Sequence, residues 1–281
     1  MREVLLGLIG AGIQRSLAPA LQEEEARHHG IRVHYQLIDL DGSSRGVEAL
    51  PGLIEAARIM GFAGLNITYP CKQSVIPLLD SLSEEARSIG AVNTVIRAGD
   101  RLIGHNTDGW GWSWGFRRAL PQADLSRVVL LGAGGAGSAI AYEVLRLGAT
   151  KLLILDPDAS RASALAERMN SIHEAGRASA IGDIAAAMQG ATGLIHATPT
   201  GMDKLPGLPL PASLLRPELW VSEIVYFPLE TELLKAAGRI GCATADGGHM
   251  SVGQALRGFK LFTGREPDAA RMDAHFRRLV S

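Results

Sequence analysis

Val128-Val129-Leu130-Leu131-Gly132-Ala133-Gly134-Gly135-Ala136-Gly137 is the stretch of sequence that decides the fold. Its first four residues are apolar, as in a buried parallel strand, and a run of glycines follows at once. Ser138 to Leu147 then have the apolar spacing of a helix, which Gly148 ends. Strand, G-x-G-x-x-G and helix in this order are the context of a dinucleotide-binding fingerprint.

The glycines have separate physical roles in such a turn. Gly132 allows the tight turn, Gly134 lets the backbone approach a pyrophosphate, and Gly137 lets the helix pack closely on the strand. The helix adds free N–H groups and the positive end of its dipole, both of which attract phosphate. We therefore predict that the cofactor is bound by the loop residues Gly132, Ala133, Gly134, Gly135, Ala136 and Gly137.

A second apolar strand bears on which cofactor is bound. Lys151 to Leu155 is followed by Asp156, about 20 residues beyond the glycines, where a carboxylate can bond both adenosine ribose hydroxyls. The same carboxylate would repel a ribose 2′-phosphate, so we predict NAD, with NADP as the alternative. Arg161 keeps that alternative open. It could stack on adenine or meet a phosphate, or it could be a solvated charge in the first turn of a helix.

Composition limits the class of protein and its partners. A chain of 281 residues, 47% hydrophobic and 20% charged, is typical of a globular protein with one large or two ordinary domains. A net charge of −1 offers no attractive field to a polyanion, so no nucleic-acid partner is predicted. Cys71 and Cys242 lie far apart without metal-ligand spacing, which predicts a reducing compartment and no bound metal.

The N-terminus predicts neither export nor membrane insertion. Glu3 precedes a short apolar run without a cleavage site, unlike a signal peptide. No apolar run has the length of a membrane span. We predict a cytoplasmic protein without a membrane partner.

Strands and helices alternate along the chain, which predicts an α/β fold with mostly parallel sheets. Before the glycine-rich stretch we predict a strand from Leu5, an irregular loop from Gly10 to Ser16, a helix at 19–29, and strands at 33–39 and 64–68 around a helix at 46–60. After it we predict helices at 160–169, 183–188 and 230–238, strands at 193–197, 219–226 and 242–245, and final helices at 254–262 and 267–279.

Polar residues cluster after the third strand, at the edge of the sheet where ligands bind in open α/β folds. Asn66-Ile67-Thr68-Tyr69-Pro70-Cys71-Lys72 is this cluster, and we predict that Lys72 begins the next helix. A lysine there is unfavourable for the helix dipole, which favours a functional role over a merely solvated charge, although the residues leave both open.

Two more polar clusters follow. Gly90 to Ile96 is a predicted strand that carries Asn93 and Thr94 in an apolar setting. Gly104 to Gly109 places Asp108 immediately before an aromatic-rich helix. Asp108 could cap that helix or take part in catalysis, and the residues alone do not decide between the two.

Taken together, these motifs resemble the shikimate/quinate dehydrogenase family. They occur in the family's order across nearly the whole chain. The Asn66–Lys72 cluster and the strand that ends in Asp156 look most like the NAD-dependent quinate/shikimate branch. The other matching stretches are the Ser16 loop, Gly90–Thr94, Asn106–Asp108, the glycine-rich loop, Ala197–Met202, Tyr226–Pro228 and the Gln254 helix.

The resemblance implies two α/β domains with the active site in the cleft between them. Residues 1–105 would form the substrate-binding domain, completed by C-terminal helices within 247–281, and residues 106–246 a doubly wound Rossmann-type NAD domain. The implied reaction is the NAD(P)-dependent interconversion of shikimate and 3-dehydroshikimate or of quinate and 3-dehydroquinate. The implied partner is a small-molecule substrate, and the implied state is a monomer or a homodimer.

The resemblance also implies roles for individual residues. Lys72 and Asp108 would be the catalytic pair, since a lysine beside an aspartate can exchange the hydroxyl proton and stabilise charge on the oxygen. The implied substrate-binding residues are Ser16, Asn66, Thr68, Asn93, Tyr226 and Gln254. Asp156, Arg161, Thr198, Pro199, Val225, Gly247 and Met250 would complete the cofactor site.

One departure from the family pattern concerns the substrate carboxylate. The family usually offers it two hydroxyls, whereas this chain has Ser16-Leu17-Ala18. A lost hydrogen bond to a charged group costs about 1.5–3 kcal/mol unless Arg15 or another group compensates. The departure leaves open a different substrate, a cyclic acid whose ring carries hydroxyl or amino groups. A nucleotide sensor without catalysis is a third alternative, against which Lys72 and Asp108 argue.

Overall fold

The computed structural model describes residues 2–280. They divide into two units, one comprising the residues up to Thr107 together with Gln254–Leu279, the other comprising Asp108–Gly253 with Val280. Each unit has its own six-stranded sheet and its own apolar cores. The predicted α/β class is confirmed.

The sheet of the first unit is mixed. Its strands are β1 (Arg2–Gly10), β2 (Ile31–Asp39), β3 (Gly64–Ile67), β4 (Ser81–Leu82), β5 (Thr94–Ala98) and β6 (Arg101–His105). Their order is β2-β1-β3-β5-β6-β4, with β1, β2 and β3 parallel and β5 antiparallel to both of its neighbours. The hairpin partner β6 is absent from the predictions. Asn93 precedes β5 rather than lying within the strand.

Three helices accompany this sheet: α1 (Ala18–His28), α2 (Leu50–Ile59) and α3 (Glu84–Ile89). The prediction that α2 begins at Gly46 is wrong, because Gly46–Ala49 is a separate 3-10 helix. Pro51 lies in the first turn of α2, where its missing N–H and fixed φ are tolerated. A continuous helix through Pro51 would lose a hydrogen bond, so the α-helix starts there.

The predicted helix at Lys72 is also wrong. Residues 72–75 form turns and only the short 3-10 helix Ile76–Leu78 follows, with Pro77 inside it. Pro77 has no N–H to donate to a preceding turn, which prevents an α-helix from running through this segment. Lys72 therefore does not lie at a helix N-terminus, and the dipole gives no argument for its role.

The sheet of the second unit is entirely parallel. Its strands are β7 (Arg127–Leu131), β8 (Lys151–Leu155), β9 (Ala178–Ala180), β10 (Gly193–His196), β11 (Trp220–Glu223) and β12 (Ala243–Ala245). Their order is β12-β11-β10-β7-β8-β9. Thus β8 and β9 lie on one side of β7, and the later strands β10, β11 and β12 lie on its other side. Such a reversal creates a crevice at the carboxyl ends of β7 and β10, where doubly wound folds bind ligands.

Helices α4 (Asp108–Ala119), α5 (Gly135–Arg146), α6 (Ala159–Ile172), α7 (Ile184–Met188) and α8 (Glu232–Ile240) belong to this unit. Successive residues of β7 alternate between two cores. Val128 and Leu130 pack in one cluster, and Val129 and Leu131 in another. Burial on both faces explains why the strand is a continuous apolar run.

The last two helices are α9 (Gly247–Thr263) and α10 (Ala269–Val280). The predicted start of α9 at Gln254 is wrong, because the helix begins at Gly247. A Cβ at Gly253 would overlap the backbone of Gly111, so glycine is required there by close packing. Within residues 2–280 no helix is long and apolar enough to cross a membrane.

In the first unit, α10 is held to α1 by a buried carboxylate. Glu25 accepts hydrogen bonds from Arg271 at 2.6 and 2.8 Å and from the Asp268 N–H at 2.8 Å. Burial opposes ionisation of Glu25, but these hydrogen bonds and that of His29 hold its pKa below the ordinary value.

Gly193 provides a test of the packing in the second unit. It lies opposite Trp220 in the β10–β11 register, and a Cβ at Gly193 would overlap the indole ring. We expect Gly193→Ala to lower the free energy of unfolding by about 1–3 kcal/mol, as overpacking does, measured by urea denaturation.

Gly238→Ala is the matched control, because Gly238 lies within α8 of the same unit and a Cβ there meets nothing within 4 Å. It should raise the free energy of unfolding by about 0.5–1 kcal/mol, since alanine favours a helix over glycine. Equal effects of the two substitutions would contradict the described contact with Trp220.

Candidate functional site

The turn between β7 and α5 is closed by contacts that only glycine permits. Gly132 has φ of 103°, and a Cβ there would lie 2.6 Å from the Ala197 carbonyl oxygen. A Cβ at Gly137 would overlap the carbonyl oxygen of Gly132. A Cβ at Gly134, by contrast, would meet nothing within 4 Å. The turn is therefore tightly closed at its ends and open at its middle glycine.

The open side of this turn fits a diphosphate. Helix α5 begins at Gly135, and Gly134 before it has no side chain to cap the first-turn N–H groups. These donors and the helix dipole suit a negatively charged group approaching over Gly134. The chemistry of this turn therefore fits a phosphate-bearing group.

Asp156 holds the glycine-rich turn from the neighbouring strand. Its Oδ2 accepts the Ala133 N–H at 2.7 Å, and its Oδ1 accepts the Asp158 N–H at 2.9 Å. Each carboxylate oxygen retains a second lone pair, which can accept from a ribose hydroxyl. Arg161 is exposed in the first turn of α6, with its Nε 3.5 Å from Asp158 Oδ2.

Three other predicted cofactor residues of this unit, Thr198, Pro199 and Met250, have different surroundings. The Thr198 methyl carbon lies 3.2 Å from the Cβ position of Gly132, so Thr198 adjoins the glycine-rich turn. Pro199 is exposed just beyond it, and Met250 packs against the core that contains Val128.

Val225 and Gly247 come together at the start of α9. A Cβ at Gly247 would overlap the Val225 carbonyl oxygen, so a larger residue is excluded there. Tyr226 follows, with its ring centroid 5.3 Å from that of Phe227. Burial raises the pKa of Tyr226, so its hydroxyl remains protonated at neutral pH.

Asp108 is the first residue of α4 and only 4% exposed. The helix begins at Asp108 itself, so its carboxyl group lies in the first turn. The structure therefore places a buried carboxyl group at this helix start.

A hydrogen-bonded network in the first unit contains three of the predicted substrate residues. The Tyr35 hydroxyl donates to Asn66 Oδ1 at 2.7 Å, and Asn66 Nδ2 donates to the Asn93 carbonyl at 3.3 Å and to Thr94 Oγ1 at 3.1 Å. Burial raises the pKa of Tyr35, which keeps its hydroxyl a donor.

Asn93 extends this network to Thr107, where the unit's first chain segment ends, and to Gln254, where its second begins. Its Oδ1 accepts the Thr107 N–H at 2.8 Å, and its Nδ2 donates to Thr107 Oγ1 at 2.9 Å and to Gln254 Oε1 at 3.5 Å. Thr94 Oγ1 donates to Asn93 Oδ1 at 3.0 Å. The network thus joins Asn66, Asn93 and Gln254 and fixes Thr107, the residue before Asp108 in the chain.

Thr68 and Lys72 lie in the segment after β3. The Thr68 N–H donates to the Ile9 carbonyl at 2.9 Å, and the Lys72 carbonyl accepts the Val92 N–H at 2.8 Å. The backbone of both residues is therefore hydrogen-bonded to neighbouring segments of the same unit. The Lys72 side chain is half-buried.

Ser16 lies in the loop after β1. Its Oγ accepts the Ala18 N–H at 3.3 Å, which leaves the hydroxyl proton available to a carboxylate. Among the described residues no hydrogen bond joins Ser16 or the Thr68 side chain to the Asn66–Asn93 network. Asp39 orders this loop by accepting the Gly12 and Ile13 N–H groups at 3.0 and 3.2 Å.

Several residues that support these sites have no role assigned from the sequence. Their common feature is a polar side chain next to or within a buried apolar strand, which is a signal that sequence reading can use. They are Tyr35, Asp39, Thr94, Thr107, His196 and Glu223. In the part of the chain described, no group of three or more His, Cys, Asp or Glu side chains could hold a metal ion.

Comparison with known proteins identifies the family. The family model described as "Shikimate dehydrogenase substrate binding domain" matches residues 8–95. A shikimate dehydrogenase (NADP(+)) of Streptomyces avermitilis is 54% identical over 278 residues, covering 98% of this chain and 96% of that protein. A quinate/shikimate dehydrogenase (NAD(+)) of Corynebacterium glutamicum strain R is 46% identical over 281 residues, covering 97% of this chain and 98% of that protein.

A solved structure agrees with this result. Quinate dehydrogenase from Corynebacterium glutamicum in complex with NAD superimposes with a TM-score of 0.93 at 44% sequence identity, covering 99% of this chain and all of that one. Since relatives at this level of identity span nearly the whole sequence, the chain belongs to the shikimate/quinate dehydrogenase family of oxidoreductases.

Proposed function

We propose that this protein is an NAD-preferring dehydrogenase that interconverts shikimate with 3-dehydroshikimate, quinate with 3-dehydroquinate, or both. The observation that carries this proposal is the phosphate-fitting turn closed by Asp156, in a chain of this family. The named activities of the Streptomyces and Corynebacterium relatives supply the substrate class.

The relatives use different cofactors, so the preference for NAD rests on this chain's own residues. The relative at 54% identity is named for NADP(+), and that at 46% for NAD(+). The Asp156 carboxylate would repel a 2′-phosphate close to it. The charge of Arg161 is partly offset by Asp158, whose Oδ2 lies 3.5 Å from its Nε. This makes Arg161 a weaker partner for a phosphate.

We assign the catalytic steps to Lys72 and Asp108. When bound, a nicotinamide dinucleotide supplies the two-electron acceptor that oxidation of a secondary alcohol requires. Lys72 exchanges the hydroxyl proton and places positive charge near the oxygen, and Asp108 orients the lysine and bonds the same hydroxyl. A buried carboxyl at a helix start is suited to this orienting role.

We assign substrate binding to the first unit. Asn66, Thr68, Asn93 and Gln254 would bond the ring hydroxyls, Ser16 the carboxylate, and Tyr226 of the second unit would also reach the substrate. The hydrogen-bonded network around Asn93 supports this assignment for Asn66 and Gln254, whose amide side chains it fixes before any ligand arrives.

Initial rates test the proposed function directly. Purified protein would be assayed with NAD and NADP, each against shikimate and quinate. We expect oxidation of at least one acid, with the larger kcat/KM for NAD. Appreciable rates with NADP alone would contradict the assignment of Asp156, and no rate with either acid would leave the fold intact but overturn the proposed substrates.

Lys72→Ala tests the catalytic assignment. Removing a general acid–base group should lower kcat by about 10²–10⁴-fold, while the Kd for NAD, measured by calorimetry, changes little. Gln73→Ala is the matched control, because the exposed neighbouring side chain is not assigned to the site. A variant with unchanged kcat would remove Lys72 from the mechanism.

Asp156→Ser tests the cofactor assignment. Loss of a charged acceptor costs about 1.5–3 kcal/mol, so we expect the KM for NAD to rise about tenfold or more and the preference for NAD over NADP to fall. Asp124→Ser makes the same charge change before β7, at the opposite edge of the parallel sheet, and should leave both KM values near wild type. A preference unaltered by Asp156→Ser would show that other residues set it.

A further inference from the structure

Two ionisable side chains are completely buried beside the glycine-rich turn without a role in the reaction described above. His196 ends β10 and Glu223 ends β11, and they are paired in the register of these neighbouring strands. Both side chains are 0% exposed. Such groups are rarely buried without extensive hydrogen bonding, and a well-packed apolar pair would often be at least as stable. Stability alone therefore does not explain them.

Glu223 has hydrogen-bond donors at both oxygens. Oε1 accepts from His196 Nδ1 at 2.8 Å, from the Ile224 N–H at 2.8 Å and from the Val225 N–H at 3.0 Å. Oε2 accepts the Thr231 hydroxyl at 3.0 Å. An ionised carboxylate can only accept, so Nδ1 of His196 carries a proton, and the carboxylate fixes the orientation of the ring.

The other ring nitrogen of His196 faces Thr198, the first residue of the loop 198–201. His196 Nε2 lies 2.5 Å from Thr198 Oγ1. A hydroxyl can both donate and accept, so this bond persists whether the ring is neutral or protonated. Thr198 Oγ1 also accepts the Thr200 N–H at 3.3 Å, and its methyl carbon adjoins the Cβ position of Gly132. A continuous series of hydrogen bonds therefore runs from Glu223 through His196 to the loop at the glycine-rich turn.

Beyond Thr198 the loop is held mainly by itself. The Met202 N–H donates to the Pro199 carbonyl at 3.2 Å, and the Gly201 N–H donates to the Leu205 carbonyl at 2.7 Å. Pro199 and Leu205 are exposed. The bond from His196 thus connects a surface loop to the end of β10 in the parallel sheet.

We propose that His196 and Glu223 are positioning residues that hold Thr198, and with it the loop of residues 198–201, in place to bind the dinucleotide. This proposal rests on the proposed function, since it assigns the loop to the dinucleotide site. It adds two residues that act through Thr198 rather than by touching the ligand. Their effect should fall on the dinucleotide and not on the acid substrate.

The test compares variants that interrupt the series at different bonds. His196→Asn keeps a donor for Glu223 but has no atom to reach Thr198, and Thr198→Val removes the hydroxyl while preserving side-chain size. We expect each to raise the Kd for NAD, measured by calorimetry, about threefold to tenfold, as for one lost hydrogen bond. The KM for NAD should rise in parallel, with the KM for the acid within twofold of wild type.

Two further variants separate positioning from general damage. The double variant His196→Asn/Thr198→Val should bind NAD no more weakly than Thr198→Val alone, because both changes break the same bond. Thr198→Ser, which keeps the hydroxyl, should bind NAD more tightly than Thr198→Val. Additive effects in the double variant, or a folded His196→Asn protein with wild-type affinity, would overturn the proposal.

Ser222→Ala is the matched control. The Ser222 hydroxyl accepts the Trp112 indole N–H at 3.0 Å and is buried in the same strand, next to Glu223. Its loss should lower the Tm but leave the Kd for NAD within twofold of wild type. If the wild-type protein bound neither NAD nor NADP, the proposed function would fail together with this proposal. Wild-type binding unaffected by the His196 variant would overturn the positioning role alone.

Discussion

The contact between the Cα of Gly137 and the carbonyl of Gly132 is the constraint on which the second unit depends. Because a Cβ at Gly137 would overlap that carbonyl, α5 can lie against the end of β7 only with glycine there. The close approach brings the start of α5 to the carboxyl edge of the sheet. There the strand order reverses, and β8 and β10 end on either side of the turn. Backbone packing thus creates a site for a negatively charged ligand.

Side chains from the flanking strands then fix that turn before a ligand binds. Asp156 accepts the Ala133 N–H on one side, and Thr198, held by His196, adjoins Gly132 on the other. A loop that is already ordered loses little conformational entropy on binding, which leaves more of the contact free energy for affinity. The first unit follows the same principle, with Asn93 bonded to Thr107 and Asn66 to Thr94.

Elements whose signal lies in one continuous stretch of sequence were predicted correctly. Elements that depend on contacts between distant parts of the chain were not. The strand and helix around Gly132 were predictable because apolar runs and glycine spacing are local. The missed start of α9 at Gly247 has another cause, since its glycines disfavour a helix locally but are required by contacts that no local pattern contains. The helix predicted at Lys72 is absent because Pro77 has no N–H for an α-helical hydrogen bond. His196 and Glu223 were missed because their pairing depends on strand order, which sequence spacing does not specify.

The hydrogen bonds of Asn66 limit what it can offer to a substrate under the proposed function. Both of its amide protons donate within the protein, one to the Asn93 carbonyl and one to Thr94 Oγ1. The Tyr35 hydroxyl occupies one lone pair of Oδ1, which leaves the other. Asn66 therefore meets a ring hydroxyl as an acceptor, so the hydroxyl must donate its proton to it. A substrate with a methyl ether at that position would lack this donor and leave the amide oxygen unsatisfied. The selectivity of Asn66 for a free hydroxyl thus comes from the neighbours that occupy its other hydrogen-bonding atoms.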